Sequence, residues 1–433
     1  MTATERIAEA SEGVEYVTGE IARWIEDTAE RGRAGAHLTR LDTLHDILTR
    51  TLEAIAGTMT PEAVEPLDLT GAYTLARDTD KRTLFCRRLF RWYALRFDQR
   101  AEEPLDRCLA GADEVVWSVW ERTFAAAKAP RRAAPLCFVD NDPVPWASLH
   151  SALPAEARPP ALDGFFAGRI RELPVPVVGL PPVVVRRPWW LIIAIHETGH
   201  HVQHALADGV PVALTAAAKQ AGAGSAEQGQ WSDWASELFA DAFAAAFGGA
   251  SAAWAVAELE QVSGDPFAAR DTYPPAEARL RIARALVTET GAADPGFTLV
   301  GDEPPANPKS RELLERVPAI AVALLDHPLG KTTLRALAGK GPALAQAQAR
   351  WAAELSAGDA QPSNTLRAAA ECVGGAVRAW RDSDRSDPGP LRKSVLNVLR
   401  ECGPDGTRAA GPDESPAAAQ ALIDALLAEG TEL

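Results

Sequence analysis

The residues with the clearest chemical capacity are two histidines and a glutamate in the segment HETGH, at positions 196–200. On an α-helix, residues four apart share a face with Cβ atoms about 5–6 Å apart, so His196 and His200 can bind one metal ion. Glu197 lies next to that face, where its carboxylate can hold a water molecule without being a ligand. This HExxH spacing predicts one zinc ion per chain, with Glu197 as the general base.

The residues around this segment indicate a rigid, buried helix. Residues 189–195 (WWLIIAI) carry no charge and are apolar on every face. Gly199 is a poor helix former, since glycine costs about 1 kcal/mol relative to alanine. We therefore expect a small residue to be needed there, at the floor of a cleft.

A third ligand must come from elsewhere, because a catalytic zinc ion takes three protein ligands and a water. The extended pattern HExxHxxGxxH is excluded, since the chain has Gln203 and Leu206 at its glycine and histidine positions. His201 is turned about 100° around the helix from the second ligand, and His204 lies about 12 Å along the axis from the first. We therefore expect these two histidines to be exposed or close to the helix end.

A second helix is predicted over residues 232–249 (SDWASELFADAFAAAFGG), which begin with Ser and Asp and end with two glycines. On this helix Glu237 and Asp241 are four residues apart and share a face. Glu237 can be the third ligand, and Asp241 can accept the free ring N–H of a ligating histidine and fix its tautomer. The alternative is that both are solvent-facing acids of an amphipathic helix.

These elements resemble the gluzincin metallopeptidases, in which HExxH is followed by a helix with the pattern ExxAD, here ELFAD at 237–241. The segment YPPAEARL at 273–280 is similar to the HPPxxxRI segment of the prenyl-protein protease and heat-shock membrane endopeptidase family. Tyr273 stands where that family has histidine. The resemblance implies a soluble relative that hydrolyses peptide bonds of a peptide or protein substrate, with a zincin-like core between about residues 135 and 290.

The same resemblance implies catalytic roles for Tyr273 and Arg279. A tyrosine hydroxyl there would stabilise the negative charge that develops on the carbonyl oxygen. The alternative is that Tyr273 packs as an aromatic ring before the two prolines. Arg279 would then only form an ion pair with Glu277 or Asp271.

Two other functions fit parts of the pattern. The chain also resembles the ImmA/IrrE-type anti-repressor metalloproteases, which act on one dedicated repressor, through HExGH and a helix with the pattern ExxAxxFA from Glu237. The YPP segment with Arg279 favours the endopeptidase family. A catalytically inert, zinc-stabilised interaction module is the non-enzymatic alternative. Glu197 argues against it, because a structural site has no use for a base beside an open coordination position.

The composition limits the partners of the protein. A net charge of -15 over 433 residues argues against nucleic acid or an anionic membrane as the main partner. The basic, aromatic stretch Lys81–Arg100 is therefore interpreted as an amphipathic helix rather than a nucleic-acid site. No signal peptide and no uncharged apolar run of 18 residues is present, so no membrane insertion is expected. Five cysteines without a CxxC pair indicate reduced thiols and a cytoplasmic protein.

Changes in composition and hydrophobic periodicity along the chain predict three regions and a mostly helical α+β fold. Residues 1–134 form a helical N-terminal region, 135–300 the metallopeptidase core with a small proline-rich β-sheet, and 301–433 a helical C-terminal region. The helical flanks can bind a protein partner.

Prolines confine strands to sheet edges, so the strand within residues 173–185 is expected at an edge, where a substrate peptide can bind as an additional strand. The small and polar residues 207–230 predict a lid or loop.

Overall fold

The computed structural model describes residues 2–30, 37–130, 132–148, 175–261, 265–269, 273–297, 299, 307–384, 386–402 and 415–428. Within these ranges the chain is mostly helical, with short strands in two small sheets. The prediction of a mostly helical α+β fold is thereby confirmed at this level.

The chain divides into two compact units. The first contains Met1–Glu103, Ser148–Val177 and Gly406–Leu433, and the second contains Pro104–Ala147 and Val178–Asp405. Every residue predicted for the metal site belongs to the second unit. The division into three regions at residues 134 and 300 stays a prediction.

The first unit is built from long amphipathic helices. Its elements are α1 (Ala3–Glu30), α2 (Leu38–Gly57), α3 (Pro61–Val64), α4 (Leu69–Asp98) with a 3₁₀ turn at Gln99–Ala101, and the last helix of the chain, α18 (Ser415–Leu427). Buried residues of α1 recur every three or four positions, as Ile7, Ala10, Val14, Val17 and Ile21. This spacing gives α1 one apolar face, which packs against α2 and α4.

Basic side chains of α4 pair with acids of the same unit. Arg87 donates to Glu20 of α1 at 2.7 Å, and Arg91 pairs with the same carboxylate. The Arg96 guanidinium lies 3.9 Å from the centre of the Trp92 ring. The basic residues of the stretch Lys81–Arg100 thus include several that join α4 to α1 or to its own aromatic face.

The remaining elements form a larger helical assembly. They are α5 (Leu105–Ala127), β1 (Leu136–Val139), β2 (Trp146–Ser148), β3 (Val177–Leu180), α6 (Val183–Arg186), a 3₁₀ helix (Pro188–Ile192), α7 (Ile193–Leu206), α8 (Val210–Gln220), α9 (Ser225–Asp233), α10 (Ala235–Glu260), α11 (Ala276–Glu289), α12 (Pro308–Glu315), α13 (Val317–Asp326), β4 (Pro328–Leu329), β5 (Thr332–Thr333), α14 (Leu334–Ala338), α15 (Gly341–Ala357), α16 (Ala368–Asp382) and α17 (Gly389–Leu399). Strands β4 and β5 form an antiparallel hairpin.

The strand from the proline-rich stretch is central, so the expectation that it lies at an edge was wrong. The three-stranded sheet has the order β1-β3-β2, and β3 is buried along its length. The reason is local: β3 reads VVGL, and Pro176 and Pro181 flank it without interrupting its hydrogen bonds. Gly179 leaves room for Trp146, whose ring would lie 2.6 Å from a Cβ at that position.

Residues 207–230, predicted to be a lid or loop, instead form most of two helices, α8 and α9. The buried side chains of α8 recur at helical spacing, as Val210, Leu214, Ala217 and Ala218. Alanine is the best helix former, so small residues here favour a helix as much as a loop.

Helix α10 is the central helix of the second unit. Its length and hydropathy would suit a membrane span, but 78% of its most apolar window is buried inside the protein, as in the core helix of a globular domain. The predicted helix end at the two glycines is confirmed, because the backbone at Gly249 is not helical, with a φ of 54° and a ψ of -137°. A second helical stretch follows it up to Glu260, and the two stretches are the arms of one kinked helix, α10.

Helices α7 and α10 approach closely at Gly199, and this explains the glycine inside HETGH. A Cβ at Gly199 would lie 2.9 Å from the Ala240 Cα and 3.1 Å from the Phe243 Cβ. Both atoms belong to α10, and the first is backbone that no rotamer change can move. The close approach brings the histidines of α7 next to the acids of α10.

Replacing this glycine should separate the two helices. We expect Gly199→Ala to lower the free energy of unfolding by about 1–3 kcal/mol, because the forced backbone shift outweighs the gain in helix propensity. Gly229→Ala in α9 is the matched control, since a Cβ there meets no heavy atom within 4 Å. It should be neutral or stabilise by up to about 1 kcal/mol. Urea unfolding measures both, and a Gly199→Ala protein as stable as wild type would contradict the packing argument.

Candidate metal centre

The two histidines of HETGH lie on one face of α7, as their spacing predicts. Their ring centroids are 4.9 Å apart with the ring planes at 84° to each other. The 3₁₀ helix before α7 buries Trp189, Leu191 and Ile192 and fixes the start of α7 in the core. Both imidazoles are therefore held by a helix whose other faces are packed.

Glu237 faces both histidines from the first turn of α10. Its Oε2 lies 3.5 Å from Nε2 of His196, and its Oε1 lies 3.6 Å from Nε2 of His200. The three side chains are only 13–16% exposed. A helix N-terminus favours a carboxylate, so this position suits an anionic ligand.

The spacing of these atoms fits a bound metal ion. One ligand atom from each of His196, His200 and Glu237 lies within 4.8 Å of the other two. Two atoms bound about 2.0–2.1 Å from a tetrahedral metal ion are about 3.4 Å apart. The observed separations of 3.5 and 3.6 Å are close to this value.

The other ring nitrogens have their own partners, which leaves both Nε2 atoms directed at Glu237. Nδ1 of His196 lies 3.0 Å from Oδ1 of Asp241, and Nδ1 of His200 lies 3.0 Å from Oγ of Ser236. When Nε2 is a metal ligand, Nδ1 carries the proton and donates to these oxygens. Asp241 is thus in the position predicted from the sequence. Ser236 was not predicted, although it directly precedes Glu237, the candidate third ligand.

Arg279 binds the carboxylates that lie behind the histidines. Its Nε and Nη2 donate to the two carboxylate oxygens of Asp241 at 2.8 and 2.9 Å, and its Nη1 donates to Oε1 of Glu260 at 2.6 Å. Its guanidinium also lies 3.7 Å from Glu237. These donors face carboxylates, so the contacts of Arg279 suit the positioning of Asp241, and its catalytic role stays a prediction.

The alternative ion pair between Arg279 and Glu277 does not form, because Glu277 pairs with Arg281. Glu277 is fully buried and accepts from Arg281 at 2.7 Å, one turn along α11. Asp271, the other partner considered, lies outside the described residues.

The electric field of the site favours a cation between the acids. Burial lowers the pKa of His196, but its hydrogen bonds to Asp241 and Glu237 outweigh this and raise the pKa to about 10. Burial lowers the pKa of His200 to about 4, with the charge of His196 acting in the same direction. The carboxylates that attract a proton to His196 would attract a metal ion in the same way.

Two of the acids remain anions in spite of burial. Burial raises the pKa of Glu237, but the hydrogen bond to His196 and nearby positive charges lower it below its ordinary value. Burial also raises the pKa of Asp241, and the Arg279 charge together with hydrogen bonds from His196 and Arg279 lower it well below the usual range. An anionic ligand and an anionic acceptor are the forms that a metal site requires.

Glu197 is buried beside this cluster. The residue is 3% exposed, and burial raises the pKa of its carboxyl group to about 7. A group that holds and releases a proton near neutral pH is suited to general acid–base work.

Tyr273 and the remaining histidines of α7 complete the predicted set. Tyr273 is 40% exposed, and the centre of its ring lies 5.9 Å from the Arg279 guanidinium carbon. It thus lies beside the site with its ring accessible to solvent. His204 is exposed, as expected, but His201 is buried, so the expectation of an exposed His201 was wrong.

Glu260 is the second residue that the sequence did not reveal. It lies 19 positions after Asp241 on the same helix, and both bind one guanidinium. No spacing rule for a straight helix relates such positions.

Comparison with known proteins does not identify a function, so any functional assignment depends on the residues described above. No protein-family model matches the chain, and no match was found among curated proteins or solved structures.

Weakening the acceptor behind His196 should weaken metal binding. We expect wild type to bind one metal ion per chain, and Asp241→Asn to bind it about 10–100-fold more weakly, because the amide accepts the imidazole N–H less well. Chelator competition measures the affinity, and elemental analysis gives the stoichiometry. His196→Ala, which removes a ligand, is the reference for loss of the site. An unchanged affinity in Asp241→Asn would show that Asp241 does not support His196.

Proposed function

We propose that this protein is a zinc-dependent metalloendopeptidase. The observation that carries the proposal is the pair of partly buried α7 histidines facing Glu237 at 3.5 and 3.6 Å, with Glu197 buried beside them. Two imidazoles and one carboxylate are a ligand set of catalytic zinc sites, which keep the fourth position open.

Zinc suits the donor atoms better than its common competitors. Magnesium and calcium prefer sites made of oxygen atoms, whereas imidazole nitrogen favours zinc and other first-row metals. When bound by His196, His200 and Glu237, zinc would supply Lewis-acid polarisation and an acidified water.

Glu197 supplies the proton transfer. Its carboxylate takes a proton from the attacking water and later delivers it to the amine nitrogen of the departing peptide. Burial favours this role twice, because it brings the carboxyl pKa to about 7 and excludes competing water.

The network behind the ligands prepares the site before substrate arrives. Asp241 fixes the ring of His196, Ser236 fixes the ring of His200, and Arg279 fixes Asp241. Ordered partners of this kind orient ligands and raise their basicity. The arrangement supports the resemblance to gluzincins and a zincin-like core built from α7, α10 and α11.

The buried Glu197 also distinguishes the proposal from an inert zinc-stabilised module. A carboxylate buried for no chemical purpose costs stability, because it loses solvation. A module that needs only zinc for its structure would be served by an apolar residue at that position. Regulatory cleavage of one dedicated repressor uses the same chemistry, and its substrate range separates it from a general endopeptidase.

The cysteines support the proposed cytoplasmic location. All five are free and buried. Burial raises the pKa of Cys86 and of Cys108 to about 12, which keeps these thiols protonated and unreactive. The substrate would be a peptide or protein.

Removing the base should separate metal binding from chemistry. We expect Glu197→Gln to keep one zinc ion, since Glu197 is not a ligand, and to lose peptidase activity by at least about 100-fold. Cleavage of a mixed peptide library by zinc-loaded protein, read by mass spectrometry, measures the activity. Full activity in Glu197→Gln would reject the assigned base, and no cleavage by wild type would argue for the inert module.

Removing one hydroxyl tests the donor inferred from the resemblance. Tyr273→Phe keeps the ring beside Arg279 but removes the O–H, so we expect kcat to fall by about 10–1000-fold with zinc content unchanged. Steady-state kinetics on a peptide found in the library assay gives kcat and KM separately. A wild-type kcat would show that Tyr273 acts only as a packed aromatic residue.

A further inference from the structure

Helix α10 must fold back on itself for the site to form. Asp241 and Glu260 both bind the guanidinium of Arg279. On a straight helix their Cα atoms, 19 residues apart, would be separated by about 28 Å. Two acidic side chains and one guanidinium cannot span that distance. The kink at Gly249 is what brings the second arm, residues 250–260, back towards the first.

The kink has a conformation that needs glycine and an outside partner. The positive φ of 54° at Gly249 is a backbone region that residues with a side chain rarely adopt. A break in a helix also leaves nearby carbonyl groups without their usual N–H partners. At this break the Gly248 carbonyl accepts a hydrogen bond from Nε2 of Gln348, on α15, at 2.9 Å.

The Gln348 side chain is itself built into the core. It is 4% exposed, and its Oε1 lies 3.5 Å from Oγ of Ser251, directly after the kink. Ser251 donates to the Gly374 carbonyl of α16 at 2.8 Å. A Cβ at Gly374 would overlap the Gln348 amide, so glycine at this position makes room for it. One amide thus contacts α10 on both sides of its kink.

We propose that Gln348 is a positioning residue for the metal site. By holding α10 bent at Gly249, it keeps Glu260 on Arg279, and Arg279 in turn holds Asp241 against His196. The C-terminal helices α15 and α16 therefore belong to the machinery that sets metal affinity, although they contribute no ligand. This inference rests on the proposed metal site, and it adds a residue more than one hundred positions away from the ligands in sequence.

The test compares glutamines on one helix. Gln348→Met keeps the length of the side chain and removes the amide, whereas Gln346→Met makes the same change at an exposed position of α15. Cobalt(II) and zinc affinities are measured by chelator competition, and cobalt absorption bands report ligand geometry. We expect Gln348→Met to weaken metal binding by about 3–30-fold and to shift the cobalt bands. Gln346→Met should do neither.

A double variant tests whether the effect passes through Asp241. When Asp241→Asn has already weakened the contact to His196, adding Gln348→Met should weaken metal binding much less than it does in wild type. The same loss in both backgrounds would overturn the proposal, because Gln348 would then act by another route. A wild-type affinity in Gln348→Met would overturn it directly. Should Gln348→Met not fold, Gln348→Leu also removes the amide without adding a charge, with the same expected direction.

A metal-free measurement separates this proposal from the proposed function. Urea midpoints are compared for Gln348→Met, Glu260→Gln and the double variant without metal. Because the two side chains act through one bend, the double variant should lose less than the sum of the separate losses. Additive losses would overturn the positioning role. Suppose that wild type binds no metal and the losses of stability are non-additive. The zinc enzyme would then be rejected, but the role of Gln348 in holding α10 bent at Gly249 would still be supported.

Discussion

The ion pair between Asp241 and Arg279 is the interaction on which the rest of the site depends. Both groups are buried, and the two N–H donors of Arg279 match the two carboxylate oxygens of Asp241. A buried pair of this kind adds little net stability, because desolvation offsets the attraction, but breaking it leaves an uncompensated charge. Its value here is geometric, since it fixes the oxygen that faces Nδ1 of His196. With Nδ1 of His196 facing Asp241, Nε2 is the ring nitrogen that is left to face Glu237.

Charge balance around the guanidinium explains why such a cluster fits a divalent ion. Glu237, Asp241 and Glu260 surround Arg279, which leaves a formal excess of two negative charges when the histidines are neutral. Buried charges of one sign are costly unless a partner compensates them. A divalent cation between His196, His200 and Glu237 would neutralise this excess. The raised pKa of His196 expresses the same demand through a proton.

Local spacing was sufficient to group the candidate ligands, and insufficient to predict the residues that support them. The i, i+4 relation places His196 near His200 and Glu237 near Asp241 within single helices, so a straight-helix rule found all four. Glu260 and Gln348 escape that rule. Glu260 reaches the site only because α10 bends at Gly249, and the bend depends on an amide from α15. The two glycines correctly marked the end of the first arm of α10, but nothing local reveals that a second arm follows and turns back towards Arg279.

Two glycines show how the site overrides helix propensity. Gly199 sits in a helix where alanine would be favoured by about 1 kcal/mol. Gly249 has a positive φ that residues with a side chain rarely adopt, and it interrupts a helix. Gly199 permits the contact with Ala240 that joins α7 to α10, and Gly249 permits the bend that joins the two arms of α10. Both positions therefore favour tertiary geometry over local stability, a conflict that is typical of functional sites. The candidate metal ligands and the residues that permit their approach are then under one constraint, because moving either helix by one side-chain diameter would separate the histidines from their acids.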